Sequence, residues 1–348
     1  MPGNTEDGPL HHLRLTHRLI VAPMAGGPSS PELVAASSAA GALGSMGAAY
    51  STPAAIREFA GKVRALTDRP FAINLFIPHP IEAVGRDQVE RALAATAPYR
   101  DELGLPSPQL STPYEDDFDA QFEVVLSVRP AVFSFVFGLL SPDHLRAARQ
   151  AGIVVMGTGT TPAEAEALAE SGVDAVTLQG IEAGGHRGIF DPAAPDEEWP
   201  LQDLLARCKT KLRIPLIAAG GLMTADDVRT ALQSGAEAVQ MGTAFLACQE
   251  AGTSAPYRAA LSNPAGRQTR TTRVFSGRLA RGIRNRFMAE MEAEGRYVLP
   301  FPAQNKFTRD LRTASAAKGS ADYLSLWSGT GKGDLWQGSA VELIGRLF

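Results

Sequence analysis

The sequence predicts a (β/α)₈ TIM barrel carrying a smaller, mainly helical cap region. Three observations point there. Eight short apolar runs recur along the chain, with helix-like segments between them. Each run is apolar nearly throughout rather than alternating, which marks strands covered on both faces, as in parallel sheets. Glycine-rich turns follow the sixth, seventh and eighth runs, where a barrel gathers the loops that bind its ligand. An open doubly wound sheet alternates in the same way; eight runs of similar length and the glycine turns after the last two favour the barrel.

In order, the runs are Leu19–Met24, Ala42–Ala48, Phe71–Phe76, Ala131–Phe137, Ile153–Thr158, Ala175–Gln179, Pro215–Ala219 and Ala238–Phe245. Between them, Ser30-Pro31-Glu32 and Thr161-Pro162-Ala163-Glu164 place a capping hydroxyl before a proline at the first helical position. Thr224 followed three residues later by Asp227 is an approximate capping box. Gly152, Gly172 and Gly235 stand where helices should stop. The barrel is expected over residues 12–249, with an insertion at about 78–118 that holds a helix near Ile81–Ala95. Residues 250–325 are expected to form a helical cap over the C-terminal face, with helical spacing around Ile283–Met291. Residues 326–348 are expected to return to the barrel.

Composition narrows the function. Hydrophobic residues make up 45% of the 348 residues, charged residues 20%, and the formal net charge is -4. That composition belongs to a folded chain, without the basic face of a nucleic-acid binder. No apolar run approaches the roughly 18 residues that span a bilayer, and the start of the chain lacks a signal-peptide core. The two cysteines, Cys208 and Cys248, form no CxxC pair and suggest a reducing compartment; a cytoplasmic enzyme is the expectation. Nothing in the sequence reads out an oligomeric state.

The chemistry concentrates at the predicted strand ends. Gln179-Gly180-Ile181-Glu182-Ala183-Gly184-Gly185-His186-Arg187-Gly188 follows the sixth run directly. Adjacent glycines let backbone approach a ligand closely, and a histidine beside them is placed for proton chemistry. His186 is therefore the candidate base, or the donor that holds an anionic substrate. The other histidines read differently: His11, His12 and His17 as solvated, His79 as a loop residue between prolines, His144 as part of a helix's first turn. Gly220 and Gly221 end the seventh run, and Gln240-Met241-Gly242-Thr243 the eighth. Together with Gly184 and Gly185 they suit a phosphate cradle. Ala22, Pro23 and Met24 offer a surface for a flat ring, and the amides of Asn74 and Gln179 offer donors and acceptors for its edge. Gly157-Thr158-Gly159 lacks the spacing of a dinucleotide motif, and Gly329-Thr330-Gly331-Lys332-Gly333, which lacks that of a P-loop, reads as a surface loop. No zinc-protease motif, Cys/His cluster, facial triad or nucleophile elbow is present. Redox chemistry would then need an organic cofactor, and a phosphate cradle beside ring-edge amides suits FMN.

These residues carry a family resemblance. The chain resembles the class I nitronate monooxygenases, formerly called 2-nitropropane dioxygenases. The matching motifs are Ala22–Gly27, Pro70–Phe76, Gln179–Gly188, Ala218–Gly221, Gln240–Thr243, Phe275–Arg278, Ala280–Gly282 and Asn285–Phe287. The resemblance implies an FMN-bound barrel that oxidises alkyl nitronates, or nitroalkanes after loss of the α-proton, with dioxygen to a carbonyl product and nitrite. It implies that His186 is the catalytic histidine, that Met24, Asn74 and Gln179 contact the isoalloxazine, and that Gly185, Gly221, Gly242 and Thr243 hold the phosphate. Val21, Phe301 and Thr330 depart from the family pattern, which often has glutamine, tyrosine and glutamine there. Flavin-dependent enoyl-acyl-carrier-protein reductases share a version of the histidine motif. An FMN and NAD(P)H-dependent enoyl-thioester reductase is thus the second reading, and a flavin-binding protein without turnover the third.

Overall fold

The computed structural model describes residues 13–80, 83–263 and 268–348; His11, His12 and Ile81 lie outside them. Its strands in chain order are β1 (Leu19–Val21), β2 (Gly44–Gly47), β3 (Phe71–Phe76), β4 (Val132–Val136), β5 (Val154–Gly159), β6 (Ala175–Gln179), β7 (Gly185–His186), β8 (Leu216–Ala219), β9 (Ala238–Met241), β10 (Thr269–Thr272) and β11 (Ala280–Ile283). Eight of them form one parallel sheet in the order β1-β9-β8-β6-β5-β4-β3-β2. The sheet closes on itself where Val21 N donates to Leu43 O and Leu43 N donates to Leu19 O, both at 2.9 Å. The result is a (β/α)₈ barrel, as the eight apolar runs predict.

The caps read from the sequence form as expected. Ser30, Thr161 and Thr224 accept from the backbone N–H three residues on, and Asp227 completes the capping box. Gly152, Gly172 and Gly235 all take positive φ at helix ends. Each of the other seven barrel strands is followed by at least one helix, and the outer place after β9 is filled from far along the chain. Helix Ala340–Leu347 packs there against helices Pro31–Ala39 and Ala225–Gln233. It buries Ala340, Leu343, Ile344 and Leu347, one stripe at helical spacing.

Several boundaries differ from the sequence reading. β1 stops at Val21, which leaves Ala22–Met24 as a loop at the strand end. β9 stops at Met241, short of the Phe245 that ends the apolar run, and a 3₁₀ turn, Thr243–Phe245, takes up the rest. The insertion helix is Arg86–Leu103, later and longer than the segment expected near Ile81–Ala95. The region after β9 is not wholly helical. β10 and β11 form an antiparallel hairpin, and β11 also pairs with β7. Ile283 ends β11, and the helix expected around Ile283–Met291 runs over Arg286–Ala293. A second apolar core joins the insertion to this region: Tyr99 and Leu103 of the insertion helix meet Phe275, Phe287, Met291, Leu311 and Tyr323.

Candidate active site

The strand ends at the C-terminal face open into a cavity of about 680 Å³. Every residue singled out as a site candidate lines it: Ala22, Pro23, Met24, Asn74, Gln179, Gly184, Gly185, His186, Gly220, Gly221, Gln240, Gly242 and Thr243. Residues as far apart in sequence as Ala22 and Thr243 meet because β1 and β9 are neighbours in the barrel.

One end of the cavity is built of turns. Gly221 sits at φ +69°, a left-handed conformation that L side chains rarely adopt, and a Cβ there would come within 2.9 Å of Glu182 Cβ. Gly184 is required for a different reason: its added Cβ would stand 2.5 Å from Gly329 N. The Gly329–Gly333 stretch, expected as a surface loop, instead reaches the cradle. Gly329 N donates to Thr243 Oγ1 at 3.0 Å, Thr330 N donates to Glu182 O at 2.9 Å, and Gly329 and Gly331 line the cavity. Thr243 is thus an acceptor within the protein. Among the described residues, the N–H groups of Gly221 and Gly242 donate to no protein acceptor. Backbone donors left over at a concave, glycine-lined wall are what an anion such as a phosphate requires, so these residues fit a flavin's phosphate end.

The loop that carries His186 is held rigidly. Gln179 Nε2 donates to His186 O at 3.0 Å, while Gln179 Oε1 accepts from Gly188 N and from Arg187 Nη1, both at 2.9 Å. Arg187 in turn pairs with Asp196 at 2.6 Å, the two side chains 0% and 6% exposed, and donates to Gly180 O at 2.7 Å. Both polar ends of Gln179 are therefore engaged in fixing the loop, although its side chain lines the cavity. Asn74 Nδ2 donates to Ser134 Oγ at 2.9 Å. β11 braces the loop from the other side, with Ala280 opposite His186 and Arg281 opposite Gly185.

Around His186 the surroundings are apolar and positive. Its ring lies 5.5–6.1 Å from those of Trp327, Phe76, Phe137 and Phe301. Phe301, one of the departures from the family pattern, is thus part of the aromatic box. Burial in this box, reinforced by the charges of Arg278 and Arg312, pushes the imidazole pKa down to about 3. The imidazole is therefore neutral at physiological pH.

Sequence reasoning missed the cations. Arg278 is 2% exposed and stacks on Phe137, its guanidinium carbon 3.6 Å from the ring centroid. Its Nη2 donates to Ile189 O, while Nε and Nη1 find no partner among the described residues. Arg312 lines the cavity and is held by the carbonyl and side-chain oxygens of Asn305. Burial lowers both guanidinium pKa values to about 10, so both stay charged near neutrality. Neither forms an ion pair among the described residues. Tyr50 also lines the cavity; its buried hydroxyl has no partner there, and burial pushes its pKa up to about 12. In a sequence, charged residues on helix-like segments look like a solvated face, and only tertiary burial marks these two out.

The comparisons with known proteins agree with this geometry. Residues 8–348 match the nitronate monooxygenase family. The chain belongs to that family. It is 39% identical over 340 residues to a nitronate monooxygenase from Pseudomonas aeruginosa, covering 96% of each chain. Among solved structures it resembles nitroalkane oxidase from Streptomyces ansochromogenes, with a TM-score of 0.92, 36% identity and coverage of 98% and 96%. FabK from Thermotoga maritima is more distant, with a TM-score of 0.72, 25% identity and coverage of 97% and 94%. Membership of the nitronate monooxygenase family makes the protein an oxidoreductase and implies a flavin cofactor. Among the described residues, no helix is long and apolar enough to cross a membrane, and no group of His, Cys, Asp and Glu is arranged to hold a metal ion.

Proposed function

We propose that the protein uses FMN to oxidise alkyl nitronates, and nitroalkanes after loss of their α-proton, with dioxygen, giving a carbonyl compound and nitrite. The observation that carries this reading is one cavity with spare backbone donors at its glycine turns and a neutral imidazole in the field of two cations, the buried Arg278 and the half-buried Arg312. When bound, FMN supplies the electron-accepting chemistry. The turn residues Gly184, Gly185, Gly220, Gly221, Gln240, Gly242 and Thr243 would hold its phosphate end. Ala22, Pro23 and Met24 would offer a surface for its ring and Asn74 and Gln179 would serve its edge, while Gln179 also staples the His186 loop.

His186 meets the substrate. A nitronate is already an anion, and the field of Arg278 and Arg312 favours its entry. A neutral nitroalkane must first lose its α-proton, which the imidazole accepts. The positive surroundings that attract the anion also make the imidazole a weak base, so nitronates are the better substrates. The free, buried thiols of Cys208 and Cys248 suit a cytoplasmic setting.

The test is oxygen uptake by the purified yellow protein with propionate 3-nitronate and with longer nitronates. Turnover with nitrite release supports the proposal. Rapid anaerobic bleaching of the flavin by NADH would replace it with an enoyl-thioester reductase, and a yellow protein inert to both would be a flavin binder without turnover.

A further inference from the structure

The hydrogen-bond inventory of one buried serine decides which imidazole nitrogen is available at the site. Ser276 is 1% exposed and lies in the turn just before β11. The turn is tightly packed: Gly277 has φ +84°, and a Cβ there would meet Leu299 O at 2.5 Å. Three groups surround the Ser276 hydroxyl. His186 Nε2 is 2.8 Å away, Arg278 O is 3.1 Å away, and Arg278 N is 3.2 Å away.

A serine hydroxyl has one proton and two acceptor positions. Arg278 N–H can only donate, so it takes one acceptor position. Arg278 O can only accept, and the Ser276 hydroxyl is its donor. A buried carbonyl left without a donor costs about 1–3 kcal/mol, so the proton goes there. What remains for His186 Nε2 is the second acceptor position, and Nε2 must itself carry a proton to use it.

We infer that Ser276 is a positioning residue that fixes His186 as the Nε2–H tautomer, leaving Nδ1 as the nitrogen that accepts a proton. The arrangement serves both protonation states. Nε2–H donates to Ser276 whether or not Nδ1 is protonated, so the ring need not turn during a reaction. The register that sets Ala280 opposite His186 holds the two residues together across elements some 90 positions apart in sequence.

The inference rests on the assignment of His186 as the reacting histidine, but its test does not need turnover. Long-range ¹H–¹⁵N NMR on the FMN-loaded protein with labelled histidine reads the tautomer directly, and His186→Asn identifies the resonances by their loss. The expected result near neutral pH is a protonated Nε2 and a bare Nδ1. Ser276→Ala should give a mixture of tautomers and lower kcat/KM with a neutral nitroalkane by about tenfold, the size of one lost hydrogen bond. Ser276→Thr, which keeps the hydroxyl, should restore the wild-type pattern. A wild-type protein with Nδ1 protonated would overturn the inference, and so would a Ser276→Ala variant with unchanged tautomer. If the tautomer is as expected but no nitronate is oxidised, Ser276 keeps its role and the proposed reaction fails.

Discussion

Replacing His186 by asparagine separates its two roles. Asparagine keeps a hydrogen-bond donor of similar reach but accepts no proton near neutral pH. For a nitronate the α-proton is already gone and the imidazole N–H is spent on Ser276, so the variant loses no base and only the fit of the ring beside the anion. That is about 0.5–1.5 kcal/mol, or up to roughly tenfold in kcat/KM. For a neutral nitroalkane it loses the base, which is worth about 10²–10⁴-fold. The structure adjusts this second figure. With the imidazole pKa pushed to about 3 by burial and by Arg278 and Arg312, His186 is a weak base even in the wild type. The wild-type enzyme should therefore already prefer the nitronate strongly, and the loss with nitroalkanes should fall toward about 10²-fold rather than 10⁴-fold. The assay is initial-rate oxygen uptake with one nitroalkane and its preformed nitronate, with FMN content measured for each preparation. A variant that retains flavin and loses both substrates equally would refute the division of roles. A variant with wild-type rates on the nitroalkane would remove His186 as the base.

Further expectations concern the scaffold. Gly221→Val forces a β-branched residue into φ +69°, costing about 1–2 kcal/mol of backbone strain, and crowds the cradle; equilibrium dialysis should show weaker FMN binding, and normal occupancy would remove Gly221 from the phosphate site. Arg187→Met leaves Asp196 buried without its partner and should destabilise the fold by about 3–5 kcal/mol, read as a lower denaturant midpoint; an unchanged midpoint would show that Arg187 does not hold the loop. His186 also gives stability a pH dependence. The unfolded chain takes up its proton near 6.5, while the folded chain refuses it until about 3. Stability present above pH 6.5 is therefore lost progressively as pH falls through that window. Denaturation near pH 7 and near pH 5 should show a smaller drop for His186→Asn than for wild type; equal drops would argue against a neutral imidazole.

Local patterns made the barrel legible. Continuous apolar runs such as Phe71–Phe76 and Ala175–Gln179 coincide with strands to the residue, because strands covered on both faces are apolar nearly throughout. Caps such as Thr161-Pro162 were legible because they act within one turn. Where the structure departs, the cause is tertiary. Thr269–Thr272 and Ala280–Ile283 are short and polar at several positions, and become strands only because β7 and β10 lie on either side of β11. Gly329 looked like a surface glycine, yet it passes against Gly184 and reaches Thr243. Arg278 and Arg312 lie far from His186 in the sequence, and their effect on its charge depends on burial that no local pattern encodes. The site glycines and His186 were readable because they sit at strand ends, where a barrel must place its ligand.

The most direct measurement is the visible absorbance spectrum of the purified protein, with the released chromophore identified by mass spectrometry. The account predicts a flavin spectrum and FMN in equimolar amount with the chain. Colourless protein that takes up no FMN on reconstitution would contradict it.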